Sequence, residues 1–230
     1  AYHSFGEIRA YSDIDDDADL GDRFPEAKQR ELIHGYMACV SYIDAQIGRG
    51  MLALEAEGLA DNTVIVLWGD HGFHLGDHTL WCKHSNFEQA TRIPLMFAGP
   101  GVAKNRVIKE QPVELVDVFP TLFELAGVDH PGQLDGKSLA PLMDDDKATT
   151  IERDYAISQY RRRKNVMGYS IRTDRYRYTE WHENDFRTKR LSYDEDEIIG
   201  VELYDYQEDP NETQNFAKDK DYRAVKNELK

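Results

Sequence analysis

Asp70 and His71 are adjacent, and they directly follow a short apolar run at residues 63–68. An aspartate supplies a hard oxygen ligand and a histidine a nitrogen ligand, so the two side chains can bind one cation. Parallel α/β sheets bind their ligands at the carboxyl ends of strands, where this pair stands. The dipeptide alone is weak evidence for a metal site and favours an aspartate that caps a turn beside a packed histidine, although both interpretations stay open.

The residues after this pair form a long polar stretch, from Gly69 to Arg92. A loop of about two dozen residues is uncommon in a compact domain and is typical of functional segments. Four of the eight histidines lie in it: His71, His74, His78 and His84. Lys83 is either an ordinary surface lysine or a fixed cation that holds an oxyanion next to a metal. The search for a site therefore starts in this stretch.

The elements around the stretch predict an α/β fold. Residues 63–68 predict a short strand that is buried on both faces. Residues 25–59 predict a long amphipathic helix, because apolar side chains recur there at spacings of mostly three and four. A long helix that leads into an all-apolar strand suggests a covered, largely parallel sheet.

The second part of the chain contains shorter segments. Residues 114–127 predict a helix that ends at Gly127, and residues 166–172 and 175–181 predict an antiparallel hairpin. A strand at 201–205 and a polar helix at 215–230 follow. Because the composition changes after Asp144-Asp145-Asp146, we expect two domains, at 1–147 and 148–230.

Composition excludes several classes of function. The formal net charge of −15 argues against a nucleic-acid partner bound by overall attraction to phosphates. No run approaches the roughly 18 apolar residues that cross a bilayer, so no membrane partner is expected. Two cysteines, Cys39 and Cys82, are too few for a disulfide framework. The start at Ala1 lacks the regions of a signal peptide and suggests an internal cut or removal of an initiator methionine.

Several motifs, in one order, resemble the C-terminal half of a type I sulfatase catalytic domain, in the alkaline-phosphatase-like superfamily. The motifs around the Asp-His pair are Asp61-Asn62-Thr63-Val64-Ile65, Gly69-Asp70-His71-Gly72, Leu75-Gly76-Asp77-His78, Trp81-Cys82-Lys83, Ser85-Asn86-Phe87 and Thr91-Arg92-Ile93-Pro94-Leu95. Three segments resemble the iduronate-2-sulfatase branch: Trp81-Cys82-Lys83-His84-Ser85-Asn86-Phe87, Ala156-Ile157-Ser158-Gln159-Tyr160 and Met167-Gly168-Tyr169-Ser170-Ile171-Arg172-Thr173. The resemblance covers nearly the whole chain from about residue 25, and motifs in one order are far more specific than any single motif.

The resemblance implies a fold and an activity. The fold would be the C-terminal part of a mixed, largely parallel sheet flanked by helices, plus a smaller α+β subdomain with antiparallel strands and a terminal helix. The activity would be hydrolysis of sulfate esters of an acidic sugar or glycosaminoglycan. Such enzymes are periplasmic, extracellular or lysosomal, so the resemblance implies one of these compartments.

Sulfatases of this type use a formylglycine, made from the Cys or Ser of a Cys/Ser-x-Pro-x-Arg motif, whose hydrate attacks sulfur beside a bound Ca²⁺. Neither Cys39 nor Cys82 stands in such a motif. We therefore expect the nucleophile to come from an N-terminal sulfatase segment, which would be a partner of this chain along with the sulfated sugar. Asp15-Asp16-Asp17 offers the residue type of the family's paired aspartate ligands, but no apolar strand leads into it, so that role is not transferred.

The other site roles transfer residue by residue. Asp70 and His71 match the Ca²⁺ ligands of this half, and Asp70 is also placed to orient the nucleophile's hydroxyl. Lys83 matches the lysine that binds a sulfate oxygen and offsets charge as the S–O bond breaks. Phe73 falls where the iduronate-2-sulfatase branch has an aromatic wall of the substrate pocket. Packing within the loop is expected for the three remaining histidines, His74, His78 and His84.

Two other functions and one other motif remain open. A related phosphodiesterase or phosphonate hydrolase is possible because the superfamily shares its metal strand, although Lys83 favours sulfate. A non-catalytic subunit that binds acidic glycans is the second alternative. The basic run Arg161-Arg162-Arg163-Lys164 is either a solvated loop or an arm that pairs with a carboxylate or neighbouring sulfate of an acidic sugar.

Overall fold

The computed structural model describes residues 7–11, 14, 24–109, 111–130, 132–144, 151–162, 165–183 and 193–230. The chain divides into two compact units, Ala1–Pro100 and Gly101–Lys230. The domain boundary expected at 147/148 stays a prediction.

One long helix, α1, dominates the first unit and spans Glu26–Ala56. It confirms the helix predicted for residues 25–59, and it is followed by Gly58 in the left-handed region, with a φ of 68°. None of the residues of α1 is buried. Half-buried Leu32 and Ile33 pack against a small core cluster, whereas apolar side chains in the middle of the helix are exposed, including Met37 (61%) and Val40 (54%). The predicted apolar stripe exists, but its middle part is exposed.

Two strands of the first unit pair with each other. β1 (Ile65–Trp68) and β4 (Leu95–Ala98) run antiparallel, with Trp68 opposite Leu95. The α/β class is confirmed, but the prediction that the first strand is buried on both faces is wrong. The strand is half-buried and Trp68 is exposed, because no element of the described part of the chain covers that side chain. The strands of the described residues include no parallel pair, so the parallel part of the predicted sheet is not represented there.

A hairpin and a short helix lie between these two strands in the sequence. They are β2 (His74–Leu75), β3 (Trp81–Cys82) and α2 (Glu88–Thr91). Trp81 and Cys82 form the core cluster of this unit with Ile8 and Ile14. The hairpin is therefore anchored by residues that come some 70 positions earlier in the chain.

In the second unit, α3 spans Val118–Ala126 and ends at Gly127, whose φ is 64°. This confirms the helix predicted to stop at that glycine. Asp117, at the N-terminal end of α3, is fully buried, and its two carboxylate oxygens accept hydrogen bonds from the backbone N–H groups of Lys137 and Glu114, each at 2.8 Å. The guanidinium of Arg153 pairs with the same carboxylate and with Glu114, at 2.7 Å.

A four-stranded antiparallel sheet forms most of the second unit, with its strands in sequence order. The strands are β5 (Ala156–Arg162), β6 (Val166–Arg172), β7 (Tyr176–Glu183) and β8 (Ile198–Asp205). They confirm the predicted hairpin and the strand predicted at 201–205. Tyr178 and Leu203 form the core of this sheet together with Phe216 and Ala217.

The terminal helix, α4, is shorter than predicted and covers only Arg223–Leu229. The prediction of a helix from residue 215 is wrong because side chains there accept hydrogen bonds from backbone N–H groups, one of them in β8, in a non-helical conformation. The Asn215 side-chain oxygen accepts hydrogen bonds from the N–H groups of Leu203, at 3.0 Å, and Ala217, at 2.9 Å. Asp219 likewise accepts from the N–H of Asp221 at 3.0 Å.

The two cysteines are free thiols in different surroundings. Cys39 on α1 is exposed, whereas Cys82 in β3 is buried. Burial raises the pKa of the Cys82 thiol to about 11. No helix among the described residues is both long and apolar enough for a membrane span.

Candidate active site

Asp70 and His71 lie just beyond the point where β1 leaves its partner strand. The N–H of Gly69 still donates to the carbonyl of Pro94, at 3.2 Å, and so extends the ladder by one bond. The Asp70 side chain is then 86% exposed. Because the ladder holds its neighbour, the carboxylate projects from a fixed backbone.

The His71 ring is oriented by the backbone. Nδ1 lies 2.8 Å from the carbonyl oxygen of Gly72, and since a carbonyl can only accept, Nδ1 carries the proton. The Nε2 lone pair is then available to a metal. Nε2 lies 3.6 Å from Oδ2 of Asp70.

This spacing fits two ligands of one cation. Ligands at about 2.3–2.6 Å from Ca²⁺ and at right angles to each other stand about 3.3–3.7 Å apart. The Asp70 and His71 atoms therefore fit adjacent positions around one ion. The residues that the structure describes contain no group of three or more His, Cys, Asp or Glu side chains that could hold a metal. Ca²⁺ takes about six to eight ligands, so this pair could supply only part of a shell.

Gly72 holds the backbone that follows Asp70 and His71 close to α2. Its N–H donates to the carbonyl of Ala90 at 2.9 Å, and a Cβ at this position would stand 2.0 Å from the carbonyl oxygen of Gln89. A side chain here would force the loop away from the helix, so glycine is needed for close approach of two backbones.

Lys83 follows the β2–β3 hairpin, whose backbone is strained. Residue pairs His74 with Cys82 and Leu75 with Trp81 define its register. Among the described non-glycine residues, five have a positive φ, and three of them lie here: His78, Thr79 and Cys82. Such conformations cost about 1–3 kcal/mol each and cluster at functional sites.

The Lys83 ammonium contacts a carboxylate from the beginning of the chain. Nζ donates a hydrogen bond to Oε1 of Glu7 at 2.6 Å, and Nε2 of His84 lies 2.7 Å from Oε2 of the same side chain. The hydrogen bond from Lys83 is the main cause that lowers the pKa of Glu7, and the same bond raises the pKa of Lys83. Both groups are therefore charged at neutral pH.

Two of the other loop histidines pack as expected. His74 is fully buried, and its Nε2 lies 2.7 Å from the Ser85 hydroxyl. His78 stacks on Phe87, with ring centroids 4.1 Å apart. His84 differs from this expectation because it contacts Glu7.

Phe73 is half-buried and lies against α1. Its ring centroid is 5.4 Å from that of Tyr36, and it packs on the core cluster. This contact attaches the loop to the long helix. Its role as a wall of a substrate pocket stays a prediction.

The basic run at 161–164 is not uniformly solvated. Arg162 is buried, with 7% of its surface exposed, and its guanidinium lies over the rings of Tyr160 and Trp181, at 5.1 and 5.5 Å. The interpretation of the run as a solvated loop is therefore wrong at Arg162. Arg163 and Lys164 lie outside the described residues, as do Asp15, Asp16 and Asp17.

Sequence reasoning missed Glu7 and the role of Gly72. Glu7 is an isolated acid in a short segment, separated from Lys83 by 76 positions, and no local pattern connects the two. The tight backbone approach at Gly72 also depends on a helix that comes later in the chain.

Two family models match the chain, and each covers more than half of it. One is described as "Sulfatase" and matches residues 9–128, and the other, "N-sulphoglucosamine sulphohydrolase, C-terminal", matches residues 76–230. The chain belongs to the sulfatase family. Members of this family generally bind a metal ion, which agrees with the Asp70–His71 geometry.

Sulfatase-family relatives of this chain are much longer than it is. A sulfatase of Formosa agariphila is 34% identical, with 87% of this chain and 35% of the relative covered. Iduronate 2-sulfatase of Mus musculus is 32% identical, with 90% of this chain and 47% of the relative covered. The chain therefore spans less than half the length of these relatives.

Solved structures agree with the sulfatase fold of the alkaline-phosphatase-like superfamily. A 2-O GAG sulfatase superposes with a TM-score of 0.76 and 27% identity, over 90% of this chain and 42% of its own. A phosphonate monoester hydrolase of Agrobacterium radiobacter superposes with a TM-score of 0.66 and 26% identity, over 82% of this chain and 38% of its own. The fold is thus shared by enzymes that act on different esters.

Proposed function

We propose that this chain is the C-terminal portion of a sulfatase that hydrolyses sulfate esters of an acidic sugar or glycosaminoglycan. The observation that carries the proposal is the approach of Asp70 Oδ2 to His71 Nε2, at 3.6 Å, just beyond the end of β1. The name of the similar 2-O GAG sulfatase and that of the similar iduronate 2-sulfatase support sulfated uronic acids as the substrate class.

The proposed roles follow from the chemistry of each group. Asp70 and His71 would hold Ca²⁺, which supplies positive charge next to the sulfate. Asp70 also orients the hydroxyl of the nucleophile. Lys83 donates hydrogen bonds to a sulfate oxygen and offsets the charge that develops as the S–O bond breaks. A lysine has three donors, so the bond to Glu7 leaves two for substrate.

We further propose that an N-terminal sulfatase segment supplies the formylglycine nucleophile and the remaining metal ligands. Two ligands within the described residues are too few for Ca²⁺. The exposed apolar side chains of α1 support a partner segment, because exposed apolar patches of this kind mark interaction surfaces.

Calcium binding to the 230-residue chain alone tests the shared site. We expect affinity weaker than about millimolar in isothermal titration calorimetry, because two protein ligands cannot replace the hydration shell of the ion. Micromolar binding by the isolated chain would contradict a metal site shared with another segment.

Turnover by the full-length protein tests the reaction. Sulfate release is measured from a 2-O-sulfated uronate disaccharide and from a small aryl sulfate, alongside hydrolysis of an aryl phosphonate monoester. Asp70→Asn and Lys83→Ala should each reduce sulfate release about 100-fold or more. Asp61→Asn, an exposed aspartate before β1, is the matched control and should leave it unchanged.

The outcomes separate the three functions. Faster turnover of the sulfate esters than of the phosphonate, lost on removal of Ca²⁺ by a chelator and recovered on its return, supports the sulfatase. Preference for the phosphonate would favour the phosphonate hydrolase. Glycan binding without turnover of any ester would favour the non-catalytic subunit.

A further inference from the structure

The Glu7 carboxylate bridges Lys83 and the next residue, His84. The Lys83 Nζ to Glu7 Oε1 distance is 2.6 Å, and the His84 Nε2 to Glu7 Oε2 distance is 2.7 Å. The side chains are roughly two-thirds buried, with 27% of Glu7 and 33% of Lys83 and of His84 exposed. One oxygen of the carboxylate thus accepts a hydrogen bond from Lys83, and the other lies at ion-pair distance from the next residue, His84.

The backbone of Glu7 is anchored by its neighbours. Its carbonyl accepts a hydrogen bond from the N–H of Ala10 at 3.0 Å, in a short 3₁₀ turn over Ile8–Ala10. Ile8 is 2% exposed and lies in the core cluster with Cys82. Ile8, which follows Glu7, and Cys82, which precedes Lys83, therefore lie in the same core cluster. This shared core fixes the distance between the backbones of Glu7 and Lys83.

This arrangement differs from an ordinary surface ion pair. An isolated exposed pair contributes little, because two long side chains lose rotamer freedom to form it. Here the carboxylate is presented by an anchored turn and contacts two partners at once. A lysine without such a partner samples many rotamers, and fixing it when a substrate arrives costs side-chain entropy.

We infer that Glu7 is a positioning residue of the active site, which holds Lys83 and His84 in the orientation that receives the sulfate group. The inference rests on the proposed sulfatase function and adds a residue to it. Glu7 does not contact the substrate; it limits the rotamers of Lys83 and places the imidazole of His84 next to the ammonium.

The charges of the neighbouring groups support this role. The pKa of Glu7 is lowered mainly by the hydrogen bond from Lys83, with a contribution from His84. The pKa of Lys83 is raised mainly by the hydrogen bond to Glu7, with smaller effects of Cys82 and Tyr11. The hydrogen bond between the two groups thus favours the charged form of each, which agrees with a fixed contact between Glu7 and the Lys83 ammonium.

Kinetics of the full-length enzyme test the inference, with release of sulfate from a small aryl sulfate as the readout. Glu7→Gln should lower kcat/KM about 10- to 100-fold, mostly through kcat, because the lysine loses its orientation. Glu7→Asp retains the charge and should recover part of the loss. Glu26→Gln removes an equally charged acid paired with Arg30 on α1 and should match the unmodified enzyme.

A double-mutant cycle distinguishes positioning from general stabilisation. In a background that carries both Lys83→Ala and His84→Ala, Glu7→Gln should change kcat/KM by less than about threefold, since the two residues through which it acts are gone. An equal effect of Glu7→Gln in both backgrounds would mean that Glu7 only stabilises the fold, and would overturn the inference. Should Glu7→Gln fail to fold, Glu7→Asp with an unchanged unfolding temperature and unchanged kcat would overturn it as well.

The test separates this inference from the function on which it depends. A full-length protein that releases no sulfate from any ester overturns both. An enzyme that Lys83→Ala inactivates and Glu7→Gln leaves fully active keeps the sulfatase and overturns the role of Glu7.

Discussion

The histidine of the candidate metal pair is oriented by a main-chain carbonyl and not by another side chain. Its Nδ1 proton is bound by the carbonyl of Gly72, and the backbone of Gly72 is held by Ala90 of α2. A shift of the backbone at Gly72 would therefore reorient the His71 ring and move Nε2, the nitrogen that would bind the metal. The residue to substitute is the glycine, which has no functional group of its own.

Gly72→Ala should lower both stability and metal binding. The new Cβ would stand 2.0 Å from the Gln89 carbonyl, so the loop must shift, at a cost of about 1–3 kcal/mol. In the full-length enzyme we expect a 10- to 100-fold loss of Ca²⁺ affinity, measured by calorimetry. Gly35→Ala, with nothing within 4 Å of its Cβ, is the control. Equal affinity in the two variants would show that the orientation of His71 does not depend on Gly72.

Asp205 makes the stability of the second unit depend on pH. It is fully buried and accepts hydrogen bonds from Arg175, at 2.9 and 2.7 Å, and from the Tyr222 hydroxyl, at 3.1 Å. Burial alone would raise the pKa of this carboxyl, but these bonds lower it below the usual range. A lowered pKa stabilises the fold above the unfolded value, about 3.9, and this contribution is lost as pH falls through the folded pKa.

Asp205→Asn should lower the unfolding temperature by about 5–10 °C at pH 7. The difference from the unmodified protein should stay constant down to about pH 5 and shrink below pH 4, as the native carboxyl is protonated. Thermal unfolding across pH 3–8 measures it, with Tyr222→Phe as the control that keeps the ion pair. A pH-independent difference would exclude the Asp205 charge as its cause.

At the scale of elements, the helices and hairpins were predictable because their signals are local. The spacing of apolar residues sets α1, and Gly127 ends α3. The terminal helix was predicted too long because the backbone contacts of Asn215 are set by its position beside Leu203. Burial of β1 was predicted wrongly because it depends on which other elements pack on the strand. The residues of the strand itself do not show which elements these are.

The same distinction between local sequence signals and tertiary contacts applies to the candidate site. Asp70 and His71 follow a strand, and Lys83 lies in the polar stretch after them, so the sequence alone identifies all three as candidates; their roles stay a proposal. Glu7 could not, because its contact with Lys83 depends on folding of a distant turn onto the hairpin. Tertiary contacts of this kind have no local signal.

Substitutions in the β5–β6 hairpin test which residues of the basic run at 161–164 contribute to stability. Arg162→Ser should cost about 2–4 kcal/mol of unfolding free energy, because it removes a buried side chain between Tyr160 and Trp181. Arg161→Ser, at an exposed position next to it, should leave stability within about 0.5 kcal/mol. Chemical denaturation of both variants measures this. A triple change to Ser at Arg161, Arg163 and Lys164 leaves Arg162 in place.

The triple variant also tests substrate binding in the full-length enzyme. Its KM for a sulfated oligosaccharide should rise far more than its KM for a small aryl sulfate, because only the larger substrate carries a further anionic group. Equal effects on the two substrates would exclude the run as a binding arm.

At the scale of the whole molecule, α1 leaves a broad apolar surface without cover in the described residues. Its exposed side chains include Met37, Val40, Tyr42 and Ile43. The chain spans less than half the length of two of its relatives, and the N-terminal segment that we propose would cover this face. The net charge of −15 opposes self-association only at a distance, and salt screens it.

The isolated chain should therefore associate with itself. Light scattering after size exclusion should give an average mass well above 26.5 kDa, increasing with salt. Replacing Met37, Val40 and Ile43 with Glu should restore the monomer and, in the full-length enzyme, lower its yield or activity. A monomeric, unmodified chain at high salt would contradict an interaction surface on α1.

Cys39 can report whether the exposed apolar surface of α1 is covered, because the other cysteine, Cys82, is buried. Cys39 stands three residues after Tyr36 and four before Ile43 on α1, so it shares their side of the helix, whereas Cys82 is buried with a raised pKa. At low salt and high dilution, where self-association is weakest, an alkylating reagent should modify Cys39 of the isolated chain quickly and Cys82 only on unfolding. Protection of Cys39 in the full-length enzyme would record, without any substitution, that α1 is covered there.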